Sequence, residues 1–171
     1  MKLVDSSIPE LLQLYGEILD ELKKRGVCRS HNNPVADYSE WLVAGALKLK
    51  LQGNSNSGFD AIDSKGIKYE IKSRRLHFAG GSRQLGVIRN LSEKKFNFLI
   101  GVLFDKNFNV LEAYKMPHRL IGKAAPFRRH QHGNILILSG KILNERGVVK
   151  IDNILRKHLR SQYRRTHQKV S

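Results

Sequence analysis

The feature that most constrains the fold of this chain is the run FNFLIGVLF, residues 96–104. It is the most apolar stretch of the sequence, and its length and flanks favour a buried strand over a short helix. The run FNVLEAYKM, residues 108–116, follows after a short turn at 105–107. Together the two runs predict two strands of a sheet that are connected by a tight turn.

Helical patterns lie on either side of these strands. A capping-box start at Ser7 and apolar residues at helical spacing predict an amphipathic helix over about 8–24, ended by Gly26. The remaining predicted elements are helices over 37–51, 83–91, 118–125 and 151–165, and a strand over 134–139. This order predicts an α/β fold in which helices flank a mixed β-sheet. We expect residues 1–150 to form one domain and residues 151–171 a basic C-terminal helix or arm.

The charge balance narrows the classes of function. The 171 residues include 31 Lys and Arg but only 15 Asp and Glu, which gives a formal net charge of +16. Such an excess repels itself unless a polyanion relieves it, and nucleic acid is the commonest such partner. No run approaches the roughly 20 apolar residues of a membrane span, and acidic residues interrupt the N-terminal stretch where a signal peptide would keep an apolar core. With Cys28 as the only cysteine, these features predict a cytoplasmic nucleic-acid-binding protein without a membrane partner.

Two short predicted strands, FDAID and IKYEIKS, surround Ser64–Gly66 and carry closely spaced charges. A three-residue hairpin loop usually ends in a residue with positive φ, which suits Gly66. In that register Asp60 lies opposite Glu70, with Lys72 on the same face two residues further on. Facing carboxylates are unfavourable by themselves, but a divalent cation between them would turn the pair into a binding site.

A two-residue turn at Lys65–Gly66 is the competing register. It would pair Asp63 with Lys68 and place Asp60 on the face opposite Glu70. The hairpin would then be an ordinary amphipathic one with a solvated charged face. The residue pattern alone leaves both registers open.

The same segment resembles the active-site pattern of the PD-(D/E)xK nuclease superfamily, which has a restriction-endonuclease-like fold. GFDAI precedes EIKS, and nine residues separate Asp60 from Glu70. Phe59 stands where many members carry a proline. Over about residues 25–105 the chain also looks like a small group of uncharacterised endonuclease-like domains, through NNPVADYSEWLVAGALKLKL, YEIKSRR and RQLGVIR.

The resemblance implies a catalytic set and a cofactor. The implied catalytic residues are Asp60, Glu70, Lys72 and, on the preceding helix, Glu40. The implied metal ligands are Asp60, Glu70, the backbone carbonyl of Ile71 and Glu40. An oxygen-only set of this kind suits Mg²⁺, with Mn²⁺ as its substitute. Glu40 keeps a second interpretation, because it is the third residue after Asp37 and could close a capping-box-like helix start.

Basic and polar residues near the predicted site and in two later segments are candidates for contacts to DNA phosphates, which give affinity without sequence information. They are Arg74, Arg75, Arg83, Gln84, Arg89, Arg128, Arg129, Arg164 and Arg165.

The function implied by the resemblance is a magnesium-dependent endonuclease that hydrolyses DNA phosphodiester bonds, of a restriction or mobile-element type. A homodimer is a further expectation, since two sites could then cut both strands. Two alternatives remain. A catalytically inactive nucleic-acid-binding module on a nuclease-like fold explains the charge equally well, and a basic RNA-binding protein explains the basic C-terminal residues.

Overall fold

The apolar run at 96–104 lies inside a six-stranded sheet of a mixed α/β fold. The computed structural model describes residues 3–53 and 58–167, with side chains as far as Arg164. Its α-helices are α1 (Ile8–Lys24), α2 (Val35–Leu47), α3 (His118–Ala124) and α4 (Asp152–His167). Its strands are β1 (Lys50–Leu51), β2 (Ala61–Ile62), β3 (Lys68–Arg75), β4 (Phe98–Phe104), β5 (Val110–Pro117), β6 (Phe127–Arg128), β7 (Gly133–Asn134) and β8 (Val149–Lys150).

The sheet is mainly antiparallel. Its strand order is β1-β2-β3-β4-β5-β8, and β6 and β7 form a separate two-stranded sheet. Within the larger sheet β3 and β4 run parallel, whereas the other neighbouring strands are antiparallel. The connection from β3 to β4 must therefore cross over a face of the sheet, and it spans residues 76–97.

Strand β4 is buried on both faces. Leu99 and Leu103 pack into one apolar cluster with residues of the β3–β4 connection and of segment 135–142. Ile100 and Val102 pack into a second cluster on the opposite face, with side chains from α2 and α4. This alternation explains why the run is apolar at nearly every position rather than at every second one.

Three of the predicted helices are confirmed. Helix α1 begins with the predicted capping box, in which Ser7 and Glu10 exchange hydrogen bonds, and it ends just before Gly26 with φ of +70°. Helix α3 covers nearly the predicted residues. Helix α4 begins one residue after the predicted start, and its Leu155 is fully buried in the cluster formed with α2.

The second predicted helix, over 37–51, has different bounds. Helix α2 begins at Val35 and ends at Leu47, where Lys48 adopts a left-handed conformation with φ of 55°. The chain then enters the sheet as β1, so the apolar and basic residues after Lys48 belong to a strand rather than to a last helical turn.

The helix predicted over 83–91 is wrong. Leu85, Ile88 and Leu91 are all buried, and their three-residue spacing resembles a helical face. The backbone is instead extended: Leu85 N–H donates to Leu136 O and Ile88 N–H donates to Asn134 O, both at 2.9 Å. Within the β3–β4 connection, the assigned helical residues are the short 3₁₀ turn at Leu91–Glu93.

The strand predicted over 134–139 is only partly confirmed. Strand β7 covers Gly133–Asn134, and the rest of the segment pairs through an isolated bridge at Ile137. The two-residue strands β1, β6 and β8 were not predicted, because two residues are too few to show a period. Among the described residues no helix is both long and apolar enough to cross a membrane.

Gly101 is a position in β4 that leaves little room for a side chain. An ideal Cβ there would lie 2.9 Å from Leu85 Cδ1 and 3.1 Å from Leu138 Cδ1. We expect Gly101→Ala to lower the free energy of unfolding by about 1–2 kcal/mol, because a filled core must shift to admit a methyl group. Urea unfolding measures this change.

Gly122 provides the matched control for that substitution. It lies in helix α3, and its added Cβ would meet no atom within 4 Å. Gly122→Ala should therefore raise stability by about 0.5–1 kcal/mol through helix propensity. Equal effects of the two substitutions would contradict the packing described for β4.

Candidate active site

The hairpin that carries the acidic residues has the three-residue register. Ala61 pairs with Tyr69 and Ile62 with Lys68. The loop ends at Gly66 with φ of +80°, and the carboxylate of Asp63 accepts the N–H groups of Lys65 and Ile67, each at 2.9 Å. Of the two registers that the sequence left open, the protein therefore has the one with the three-residue loop, and the competing pairing of Asp63 with Lys68 is wrong.

Asp60 is fixed against β3 from both its backbone and its side chain. Its N–H donates to Tyr69 O at 2.8 Å. Its Oδ2 accepts a hydrogen bond from Ile71 N–H at 2.7 Å. The carboxylate is therefore held beside the strand segment that carries Glu70 and Lys72.

Glu70 and Lys72 alternate along β3 with Ile71, whose side chain is buried in the cluster next to α2. Lys72 Nζ lies 2.6 Å from Glu70 Oε1. The other oxygen, Glu70 Oε2, is buried and has no hydrogen-bond partner within the described part of the chain. A buried carboxylate oxygen without a partner is costly, so it marks a place where a donor or a cation would be stabilising.

The electrostatics of this pair follow from its burial. Glu70 is 8% exposed, and this burial raises the pKa of its carboxyl above the ordinary value despite the nearby ammonium of Lys72. Burial also lowers the pKa of Lys72, but the surrounding carboxylates, Asp60 and Glu70 foremost, outweigh it and leave that pKa raised. Lys72 is thus held as a cation among several carboxyl groups.

Glu40 belongs to this cluster and does not cap its helix. Helix α2 begins at Val35 after Pro34, which makes no side-chain capping bond. The helix-cap interpretation of Glu40 is therefore wrong, because the residue sits in the second turn. Its side chain is buried and forms an ion pair with Arg29. Burial and the charge of Asp60 raise the pKa of Glu40 to about 7.

Arg29 is a site residue that the sequence analysis missed. Besides Glu40 it contacts the carbonyl of Gln52 through Nη1 at 2.9 Å, and its own N–H donates to the Asp37 carboxylate at 2.9 Å. It therefore ties the loop before α2 to the start of the sheet. No local spacing rule links a loop arginine to a glutamate eleven residues later, so only the tertiary fold reveals the pair.

A cleft of about 440 Å³ opens beside these residues. Its lining includes Glu40, Ile71, Lys72, Arg74, Arg75, His77 and Gly86. Arg74 and His77 are exposed. Arg75 also stacks over the Phe108 ring at 4.5 Å. The lining of the cleft therefore combines one acidic side chain, Glu40, with the basic side chains of Lys72, Arg74 and Arg75.

The other predicted DNA contacts lie outside this cleft. Arg83 donates to Leu138 O at 2.7 Å and pairs with Glu112 at 2.6 Å. Gln84 forms a bridge with Ile137 in the extended segment. The remaining described candidates, all exposed, are Arg89, Arg128, Arg129 and Arg164. The side chain of Arg165 lies outside the described residues.

The side chains of this site provide only part of a ligand set for a divalent cation. Within residues 3–53 and 58–167, no group of three or more His, Cys, Asp or Glu side chains is arranged to hold a metal. Glu40 is engaged by Arg29 and one oxygen of Glu70 by Lys72. The free Glu70 Oε2, beside a fixed Asp60 carboxylate, nevertheless offers the all-oxygen chemistry that hard cations prefer.

Comparisons with known proteins do not assign this site. No protein-family model matches the chain, and no curated protein matches it. The functional interpretation therefore depends on the residues and their arrangement.

Glu40 makes the stability of the metal-free protein depend on pH. Its folded-state pKa of about 7 exceeds the ordinary 4.5, so its contribution is complete below pH 4.5 and is lost as pH rises towards 7. The difference corresponds to roughly 3 kcal/mol. We expect wild-type stability to fall by up to that amount relative to Glu40→Gln between pH 4.5 and 7.5.

Urea unfolding of both proteins in EDTA at several pH values measures this difference. EDTA keeps adventitious cations from stabilising the carboxylate. Parallel pH profiles for wild type and Glu40→Gln would contradict the buried environment assigned to Glu40.

Proposed function

We propose that this protein is a divalent-metal-dependent endonuclease of the PD-(D/E)xK type that hydrolyses DNA phosphodiester bonds. The observation that carries the proposal is the convergence of Asp60, Glu70 and Lys72, with a buried, unpaired oxygen on Glu70. A charge cluster of this composition has no evident structural role. It is the set of groups that metal-assisted phosphoryl transfer requires.

A restriction-endonuclease-like core is part of the proposal. It is supported by the acidic hairpin β2–β3, by the preceding helix α2 with its buried Glu40, and by the buried strand β4 that follows. One departure stands against these supports: an extended segment occupies 83–91, where the resemblance leads one to expect a helix.

The metal site would use Asp60, Glu70 and the Ile71 carbonyl, with Glu40 as an outer ligand, and would take Mg²⁺ or Mn²⁺. The chemistry that such an ion supplies when bound is polarisation of the phosphoryl oxygens and a lowered pKa for the attacking water. Asp60 is already oriented by Ile71 N–H. Glu40 forms an ion pair with Arg29, so it would have to break that pair to act as a metal ligand.

Lys72 would act as a hydrogen-bond donor at the reacting phosphate. Its ammonium has three donors, of which one is directed at Glu70. The others can orient water and offset the negative charge that develops on the phosphoryl oxygens. The basic wall of the cleft, with Arg74, Arg75 and His77, would hold the flanking phosphates.

DNA, and a homodimer that cuts both strands, are the partners proposed with this activity. A second candidate is a DNA-binding module that does not cut. The specific observation in its favour is that ion pairs already occupy two carboxylates, Glu70 by Lys72 and Glu40 by Arg29. Metal-dependent turnover distinguishes the two functions.

Cleavage of plasmid and of labelled oligonucleotides with Mg²⁺, Mn²⁺ or EDTA tests the proposal. We expect cleavage by the wild type that needs the metal, and a loss of at least about a hundredfold in Lys72→Ala and in Asp60→Asn, since each removes a group that would stabilise the transition state.

Lys68→Ala is the matched control for Lys72→Ala. Lys68 lies on the same strand and has the same charge, but its ammonium sits over the Phe59 ring at 4.8 Å. It should keep nearly full activity. Cleavage that survives both Lys72→Ala and Asp60→Asn would show that the active site is elsewhere, and DNA binding without cleavage under any metal would favour the non-cutting module.

Metal binding has a signature that does not require turnover. A cation at Asp60 and Glu70 should stabilise the folded chain by about 2.7 kcal/mol when present at a hundred times its Kd. We expect thermal unfolding to shift upward with Mg²⁺ or Mn²⁺ in wild type, and much less in Asp60→Asn. An identical shift in both proteins would place the cation at another site.

A further inference from the structure

A second surface of this protein has the composition of a nucleic-acid contact. It is the β6–β7 hairpin, residues 127–134, which forms its own two-stranded sheet. Phe127 is 62% exposed, and the four exposed polar residues beside it are Arg128, Arg129, His130 and His132. An exposed aromatic ring next to basic side chains is the pairing that single-stranded nucleic acid binding uses.

The hairpin lies in a strongly basic part of the chain. From residue 113 to residue 144 the sequence has neither Asp nor Glu. The same stretch contains Lys115, Arg119, Lys123, Arg128, Arg129 and Lys141. Positive charge without interspersed acids favours a polyanion over a protein partner with an ordinary mixed surface.

Concave surfaces lie on both sides of the hairpin. One, of about 250 Å³, is lined by Gln84, Arg128, His130 and Ile137, among others. The other, of about 450 Å³, includes Lys94, Phe127 and His132 in its lining. Ile137 is 53% exposed, so each concave surface combines an accessible apolar side chain with basic groups, as a site for a stacked base and its phosphate requires.

Backbone hydrogen bonds connect the hairpin to a segment that reaches the candidate active site. Asn134 and Ile88 exchange two backbone hydrogen bonds, at 2.8 and 2.9 Å. At Gly133 a Cβ would lie 2.4 Å from Val87 Cγ1 and 2.8 Å from Ile88 O. Gly86, in the same extended segment, lines the cleft beside Lys72. One short segment therefore holds both surfaces in a fixed relation.

We propose that the β6–β7 hairpin binds unpaired bases of single-stranded DNA, with Phe127 stacked on a base and Arg128 and Arg129 on the adjacent phosphates. The ring of Phe127 can stack only on a base whose face is free, and the bases of a continuous duplex are covered by their neighbours. The choice of DNA as the ligand rests on the proposed function. It narrows that function to substrates that contain single-stranded segments.

Equilibrium binding in EDTA tests the proposal without cleavage. The probes are a short single strand that contains 2-aminopurine and the duplex of the same sequence. We expect Phe127→Leu to weaken single-strand binding about tenfold, to reduce the quenching of 2-aminopurine, and to change duplex binding by less than twofold. Phe127→Trp, which keeps a stacking ring, should restore both affinity and quenching.

Two further variants complete the design. Tyr15→Leu removes a half-exposed aromatic ring from α1, away from the basic hairpin, and should leave single-strand binding unchanged. Arg129→Ala should weaken binding to both probes and lower the slope of log K against log salt by about one. Urea unfolding of each variant confirms that it is folded.

Single-strand affinity that is unchanged in Phe127→Leu would overturn the proposal, as would equal losses for single strand and duplex or tighter binding of RNA of the same sequence. The proposed nuclease activity can fail separately. If Phe127-dependent binding persists but no metal supports cleavage, the hairpin inference stands and the nuclease proposal is wrong. If cleavage occurs and Phe127→Leu binds normally, the reverse holds.

Discussion

The position of Asp60 depends on the number of residues in one turn. Side chains alternate along a strand, so one residue fewer between β2 and β3 would move Asp60 to the face opposite Glu70. Gly66, with φ of +80°, permits the three-residue loop, and the fully buried Ala61 opposite Tyr69 gives this register an apolar anchor. In this register Ile71 N–H donates a hydrogen bond to Asp60 Oδ2. The same strand register therefore determines both the packing of the core around Ala61 and the assembly of the site around Asp60.

The charge cluster is locally acidic inside a basic protein. Four carboxyl groups, on Asp37, Glu40, Asp60 and Glu70, share two cations, on Arg29 and Lys72. Removing such groups from water is costly, and their mutual attraction offsets the cost only in part. The remaining cost of burial raises the pKa values of Glu40 and Glu70. Under the proposed function, a phosphate alone would be repelled by this excess of carboxylate, whereas a bound divalent cation would reduce the repulsion.

The parts of the fold that the sequence predicted are those determined by neighbouring residues. The capping box of α1 and the turn at Gly66 depend on contacts within a few positions. The strand β4 was predictable because burial on both faces makes nearly all of its consecutive residues apolar. The site was predicted as far as it lies on the hairpin, through Asp60, Glu70 and Lys72. Arg29 could not be found, because its contact with Glu40 arises from how a loop folds over α2. The capping interpretation of Glu40 failed for a local reason, since Pro34 and Val35 start the helix earlier than Asp37.

One set of backbone hydrogen bonds explains both why residues 83–91 do not form the predicted helix and why the β6–β7 hairpin lies where it does. A helix over 83–91 would satisfy the N–H group of Ile88 internally, through a bond to Gln84 four positions earlier, but would leave the N–H group of Leu85 in its first turn without an internal acceptor. In the extended segment those groups donate to Leu136 and Asn134 instead. Backbone hydrogen bonds are obligatory when buried, so this segment can be extended only because residues 134–136 pair with it. The same pairing brings the β6–β7 hairpin against the segment whose Gly86 lines the cleft. A nucleic acid bound at the hairpin would therefore meet a surface whose position relative to Lys72 is set by backbone pairing rather than by mobile side chains.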